Sequence, residues 1–283
     1  MKITETIHAL KHRFQIPVSP EMKVERFVYS YIVFGKEGVY LVDSGVRDSE
    51  QAIYDYIIRQ GRSVAEIKGL FLTHSHPDHV GSVNPIKATS GCKLYAHAGE
   101  KEWIEDVQKQ FSERPVPGFN TLVAGSARVD QVVADEDVVE LEKDITARVI
   151  YTPGHSNGSI SLLFENEGVL ISGDCVLLPG QLPIYDNVRA GAASVRKLQQ
   201  IPNVKVLLSA WDEPRSGAAA REKMGQSIGY LEKIHQTIQA IKDVHKLDRV
   251  ELCKQVVSTL GLPADAVNPL VIRSLFLNAQ AGS

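Results

Sequence analysis

The sequence is short of cysteine, of long apolar runs and of charge imbalance, and each shortage removes a class of protein. Its three cysteines, Cys92, Cys175 and Cys253, are odd in number, widely spaced and form no CxxC pair. A disulfide framework is therefore not expected, and free thiols in a reducing compartment are. No stretch approaches the roughly 20 apolar residues needed to cross a bilayer, and the opening "MKITETIHALKHRF" has no apolar core ahead of a small-residue cleavage site. The expectation is a cytoplasmic protein without membrane attachment. Lys plus Arg number 31 against 34 Asp plus Glu, a net charge of −3, and the basic residues are scattered. That pattern leaves no electrostatic footprint for nucleic acid, and a small-molecule substrate is the default. Internal repeats and low-complexity segments are lacking too, while 283 residues are enough to bury a large core unaided.

What is present is an alternation of strand and helix patterns. "IHALKHRF", "FVYSYIVFG" and "GVYLVDSG" between residues 7 and 45 read as strands, with a hairpin at the Lys-Glu-Gly turn of 36 to 38. Residues 49 to 60 carry apolar positions at 53, 54, 57 and 58, a helical stripe ending at Gly61. "IKGLFLT" is a buried strand, "AGEKEWIEDVQKQF" one helix with Trp103, Val107 and Phe111 four apart, and residues 112 to 130 a long loop of the kind that serves as a lid. Strands resume at 146 to 151, 160 to 165, 168 to 173 and 204 to 209. After Pro214 the spacing of Met224, Ile228, Leu231, Ile234, Ile238, Ile241 and Val244 predicts a long amphipathic helix, followed by helices over about 249 to 260 and 264 to 279. The result is an α/β (α+β) architecture with a mixed sheet over residues 1–216 and a helical appendage over 217–283, which packs on the domain or on a partner subunit. A homodimer is one expectation from that stripe.

The chemistry concentrates in "FLTHSHPDHVGS", residues 71 to 82, where three histidines and an aspartate occupy six positions after an apolar run. Imidazole nitrogen and carboxylate oxygen are the ligands that zinc and related ions take from proteins. His74 and His76, two apart on a tight loop, can point the same way. Asp78 and His79 sit where Pro77 opens a helix and turn toward a second position, so one segment can serve two metals.

"THSHPDH" resembles the HxHxDH signature of the metallo-β-lactamase superfamily. "LVDSG" at 41 to 45, "YTPGHSNGSIS" at 151 to 161 and "ISGDCVL" at 171 to 177 resemble its other segments in the same order, over roughly residues 7 to 213. The resemblance implies a four-layered αββα sandwich with a dinuclear site at one edge of the sheets, here with a C-terminal helical extension. It implies that His74, His76 and His155 hold the first metal, that Asp78 and His79 contribute to the second, and that Asp174 joins both. Asp43 is expected to lie behind the ligands and hold the metal loop, with an ordinary turn role as the alternative. Two zinc ions are the implied cofactor, with iron or manganese as alternatives.

The sequence departs from the pattern at the last ligand. Trp211 in "VLLSAWDEPRSG" stands where the superfamily has a histidine, and indole N–H is a donor only. Asp212 can replace that ligand or be a turn residue before Pro214. Trp211 itself can wall the pocket or belong to the core. His97, His235 and His245 are read as outside the metal site.

The resemblance implies hydrolysis of a small carboxylic ester, thioester or lactone, with Asp78 orienting the nucleophile or relaying its proton. Tyr185 and Phe119 are candidate substrate contacts, Tyr185 with loop packing as its alternative. Glyoxalase II enzymes are similar in the metal-binding half, but no basic cluster here matches their glutathione site. β-Lactam hydrolysis is not expected without an export signal. Two other readings stay open: a mononuclear-iron oxygenase of the persulfide dioxygenase kind using His74, His155 and Asp174, and a non-catalytic ligand-binding descendant.

Overall fold

The computed structural model describes residues 1–17, 23–242, 244 and 247–281; His245 lies outside them. Strands β1 (Ile7–Pro17), β2 (Lys23–Phe34) and β3 (Val39–Val42) run antiparallel, and β4 (Ile67–Phe71), β5 (Lys93–His97) and β6 (Gln131–Val133) continue the sheet in parallel. A second sheet is built from β7 (Val138–Glu142), β8 (Ile145–Tyr151), β9 (Ile160–Phe164) and β10 (Val169–Gly173), all antiparallel. It is completed by β11 (Val206–Ser209), parallel to β10, and a short β12 (Arg215–Ser216). Helices α1 (Ser49–Arg59), α2 (Pro77–Val80), α3 (Val83–Ser90), α4 (Ala98–Glu105), α5 (Val107–Glu113) and α6 (Phe119–Leu122) belong to the first half. The second half carries α7 (Val188–Gln199), α8 (Ala218–Gln239), α9 (Arg249–Leu260) and α10 (Pro269–Gln280).

The layers follow from the two-residue period of a strand, which sends neighbouring side chains to opposite faces. On β3 and β4, Leu41 and Leu70 face outward onto Ile53 and Ile57 of α1, while Val42 and Phe71 face the other sheet. On β8, β9 and β10, Val149, Leu162 and Ile171 fill the space between the sheets. Their neighbours Ile150, Leu163 and Leu170 pack outward against Val195 of α7 and Leu231, Ile234 and Ile238 of α8. Strands buried on both faces are near-continuously apolar, as "ISLLF" and "VLISG" are. The result is the four-layered αββα sandwich. Leu252 and Val256 of α9 and Val271 and Leu275 of α10 join the same outer cluster, so the last three helices share a core with the second sheet. No helix among the described residues is long and apolar enough to cross a membrane.

Two local expectations need correction. The single helix over "AGEKEWIEDVQKQF" is two, α4 and α5, because Asp106 leaves the helical region (φ −137°) and its carboxylate accepts hydrogen bonds from the N–H groups of Gln108 and Lys109. An Asp that caps a new helix offers those N–H groups an alternative to continuing the old one. The long amphipathic helix stops at Gln239, short of Ile241 and Val244. Strands β6 and β7, three and five residues long, have little apolar periodicity and are absent from the sequence reading.

On β1, His12 is buried, with Nε2 2.7 Å from the Ser30 hydroxyl, and burial pushes its pKa down from 6.5 to about 4. The unfolded chain therefore binds this proton more readily, so stability is complete above about pH 6.5 and is lost as pH falls toward 4. The loss at the lower end is about 3 kcal/mol. His12→Gln is expected to flatten the pH dependence of the unfolding free energy in that window, measured by denaturant titration at intervals of half a pH unit. An unaltered slope would assign the acid sensitivity to other groups.

Candidate metal centre

The strand ends β3, β4 and β10 and the β8–β9 loop meet at one edge of the sandwich. After β4 the chain reaches His74, and Pro77 then starts α2 while forcing His76 to stay extended (φ −64°, ψ 151°). His76 therefore projects from the loop while Asp78 and His79 project from the first helical turn. The other two segments come close only because they carry glycine. Gly173 has φ +51°, and a Cβ there would lie 2.7 Å from the Thr73 hydroxyl. Gly154 has φ +138°, and a Cβ there would lie 2.3 Å from Gly191 N of α7.

Two groups of ligand atoms result, each with its members within 4.8 Å of one another: His74, His76 and His155, and His74, His79 and Asp174. Nε2 of His155 stands 2.7 Å from Nδ1 of His76 and 3.3 Å from Oδ2 of Asp174, and His74 Nε2 is 3.9 Å from that same oxygen. His79 Nε2 is 3.2 Å from Oδ1 of Asp174 and 3.6 Å from Oδ2 of Asp78. Asp174 thus presents one oxygen to each group. Asp43 faces away from this space and holds it together from behind. Its Oδ1 accepts the Thr73 N–H, and its Oδ2 faces the Thr73 hydroxyl and Nδ1 of His79, all at 2.8 Å. The Thr73 hydroxyl has one proton, given to Asp43, so it accepts from Nδ1 of His74 at 3.1 Å. In their neutral form both imidazoles then carry their proton on Nδ1 and turn a free Nε2 toward the centre.

The donor set fits a cation. Nε2 of His74 and His79, Oδ2 of Asp78 and Oδ1 of Asp174 are buried and without a hydrogen-bond partner among the described residues, a state that costs free energy unless something positive completes it. Burial pushes the pKa values of His74 and His76 far down and that of His155 to about 4, with the nearby Arg114 charge adding to each. These three are neutral, the form that binds metal. His79 moves the other way: burial alone would lower it, and the carboxylates of Asp174, Asp43 and Asp78 outweigh that and push it up. Without a cation, the carboxylates draw a proton to the imidazole; a divalent ion competes for the same place. Burial raises Asp78, and His79 opposes. Asp174 is held low despite burial by His79, His155 and the Trp211 indole N–H.

The remaining candidates fall elsewhere. Asp212 does not supply the missing ligand in this structure: Arg215 takes both its oxygens, Nε at 2.8 Å and Nη2 at 2.7 Å. The i,i+3 spacing of an Arg after a turn Asp makes that bidentate pair the nearer partner. Trp211 turns its N–H toward Asp174 but forms no hydrogen bond of normal geometry among the described residues, and its ring packs 6.4 Å from those of Phe14 and Phe27. Tyr185 is fully buried, and its hydroxyl donates to the backbone oxygens of Asp174 and Cys175, so it secures the loop after Asp174 and has no hydroxyl left for a substrate oxyanion. Phe119 is buried with Val116 and Leu122 and packs on Phe111, so it is a packing residue of the loop. His97 caps α4 and stacks on Tyr151. His235 lies on α8 and belongs to neither ligand group.

Three buried side chains beside the candidate centre escaped the sequence reading. Glu100, buried in the first turn of α4, accepts from the N–H and hydroxyl of Ser75 on one oxygen and from the Ser156 hydroxyl and Gly158 N–H on the other. It thereby ties the loop of His74 and His76 to the loop of His155. Gln110 donates to Ser75 O at 2.6 Å, and Arg114 ends the same helix, buried. The polar residues Ser75 and Ser156 beside the histidines were the only local signal, and neither names its partner. Glu100→Gln is expected to weaken metal retention roughly 10- to 100-fold, by analogy with other residues that orient ligands. Competition against a calibrated chelator measures this; unchanged affinity would show that Glu100 serves only α4.

Comparison with known proteins agrees with this geometry. The metallo-beta-lactamase superfamily model matches residues 24–215. A hydroxyacylglutathione hydrolase of Shewanella pealeana is 28% identical over 171 residues, 60% of this chain and 54% of that protein. A probable metallo-hydrolase of Bacillus subtilis is 25% identical over 165 residues, 58% and 69% of the two chains. The chain thus spans about half the length of the first of these relatives. Among solved structures, a metallo-beta-lactamase family protein of Thermus thermophilus superimposes with a TM-score of 0.69 at 18% identity over 96% of this chain and 94% of its own, a likeness of fold. With the family match covering most of the chain and the two histidine-rich ligand groups in place, the protein belongs to the metallo-beta-lactamase superfamily.

Proposed function

We propose that the protein is a metal-dependent hydrolase of a small carboxylic ester, thioester or lactone, using zinc, with iron or manganese as alternatives. The observation that carries this reading is the set of five buried, unpartnered atoms on His74, His76, Asp78, His79 and Asp174, grouped with His155. His74, His76 and His155 would hold one ion and Asp78, His79 and Asp174 a second, Asp174 being common to both. Bound there, such ions give a hydroxide near neutral pH and polarise a carbonyl oxygen.

The side chains of the protein supply the rest. Asp78, with its pKa raised by burial, can take up and return a proton at Oδ2. Asp43 keeps His79 and, through Thr73, His74 in the ligand tautomer. Trp211, turned toward Asp174 and backed by Phe14 and Phe27, suits a partly apolar acyl or alcohol group. The relatives named hydroxyacylglutathione hydrolases support an acyl substrate.

A second reading, a mononuclear iron oxygenase, rests on one observation: His74 Nε2 and His155 Nε2 both lie within 3.9 Å of the same Asp174 oxygen, as two histidines and a carboxylate on one face require.

Multi-element analysis of protein purified without chelators separates the two. The expected result is zinc, one equivalent held tightly and a second weakly, because Trp211 donates no lone pair. Trp211→His is expected to bring the second equivalent to tight binding, and Asp212→Ala to change neither, since its carboxylate is committed to Arg215. With an ester or thioester substrate, Asp78→Asn is expected to lower kcat by about 100-fold or more. A single equivalent of iron, with oxygen uptake on a persulfide, would overturn the hydrolase reading in favour of the second.

A further inference from the structure

Arg114 is a charged side chain at the centre, among the described residues, that neither the ligand groups nor the mechanism uses. It is 4% exposed, and among the described residues its guanidinium has no hydrogen bond and no ion pair. Its position is built. The Arg114 N–H donates to Gln110 O at 2.8 Å, and the buried Gln110 side chain donates to Ser75 O, between His74 and His76. The end of α5 is thereby fixed against the metal loop. On the other side, the Asp186 N–H lies 3.4 Å from His155 O, and the Asp186 carboxylate is occupied by Arg273 of α10. Arg114 lies close enough to this pair, and to Asp78 and Glu100, for each to act on its charge. Arginine rarely lies buried without an acceptor. Burial lowers its pKa only to about 10, so it remains charged at neutral pH.

We propose that Arg114 receives a carboxylate carried by the substrate, held beside the metal centre by the free donor edge of the guanidinium. The substrate class is then an acidic ester, thioester or lactone, an inference that deepens the hydrolase reading and rests on it. The guanidinium offers a planar fork that matches a carboxylate. A monoanion fits better than a doubly charged phosphate, because Arg273, the other cation here, is already neutralised by Asp186. Trp211, turned toward Asp174, offers the apolar part of such a substrate a separate contact.

The probes are succinate, glutarate and adipate, each against its monoamide, titrated calorimetrically into the metal-loaded protein. Both members of a pair keep one carboxylate for the metal and differ only in the group offered to Arg114. At least one diacid is expected to bind about 10-fold more tightly than its monoamide, the range of a charge-assisted hydrogen bond. Arg114→Met is expected to bring that diacid down to its monoamide, and Arg114→Lys to leave a smaller gap, since lysine keeps the charge and loses the fork. No gap in the unmutated protein, or a gap that survives Arg114→Met, overturns the proposal. A change of metal affinity in Arg114→Met with no diacid preference in the unmutated protein would make Arg114 a counter-charge to Asp78 and its neighbours, and also overturns it. Should Arg114→Met fail to fold, the unmutated pairs and Arg114→Lys decide alone. The two readings fail separately: a diacid preference without turnover of any ester or thioester keeps Arg114 and removes the hydrolase, whereas turnover without a preference does the reverse.

Discussion

The carboxylate of Asp43 gathers the Thr73 N–H, the Thr73 hydroxyl and Nδ1 of His79, each at 2.8 Å, and the geometry of the centre depends on those three bonds. They join the end of β3 to the loop after β4, so the register of two neighbouring parallel strands becomes the position of His74 and His79. They also decide a protonation pattern. With Nδ1 of His79 facing Asp43, and Nδ1 of His74 facing a Thr73 hydroxyl whose proton is already given away, both imidazoles turn lone pairs inward. A backbone cost accompanies this: Asp43 sits at φ +60°, a region that non-glycine residues rarely occupy outside turns and functional sites.

The second constraint is that the candidate ligands come from both sheets. His74, His76 and His79 follow β4 of the first, while His155 and Asp174 follow β8 and β10 of the second. The apolar layer between the sheets sets their separation to within packing error, but cannot orient side chains at its edge. Glu100 does that, with four donors from Ser75, Ser156 and Gly158 converging on two oxygens. Gly173 lets the second sheet approach Thr73, where a Cβ would collide. The site is thus where the two halves of the sandwich are fastened by polar bonds, and a buried polar network of this kind favours a single arrangement only when its members are satisfied. The atoms left unsatisfied among the described residues include one on each of the candidate ligands His74, His76, Asp78, His79 and Asp174.

Local features of this design were legible in the sequence and tertiary ones were not. The strands that make the two faces showed themselves because each is buried and apolar, and the histidine cluster because four candidate ligands within six residues need no distant information. The segments around His155 and Asp174 became readable only through their order relative to that cluster. Asp212, open in the sequence between a ligand and a turn residue, pairs with its sequence neighbour Arg215. Tyr185 and Phe119 lie near the centre in sequence order, but face the packed interior of the loops that carry them. Glu100 and Arg114 left no sign, since a carboxylate in the first turn of a helix and an arginine at the end of one are ordinary surface choices; burial alone made them informative.

Trp211 leaves the centre asymmetric for a reason beyond a missing ligand. A histidine there would offer a lone pair to the group of His79, Asp78 and Asp174. Indole instead directs a proton toward the Asp174 carboxylate. The His74, His76 and His155 group keeps three imidazoles and loses nothing by the exchange. If two ions bind as proposed, the two positions would differ in affinity. Arg114, buried and charged at neutral pH, would then supply positive charge that does not depend on a second ion.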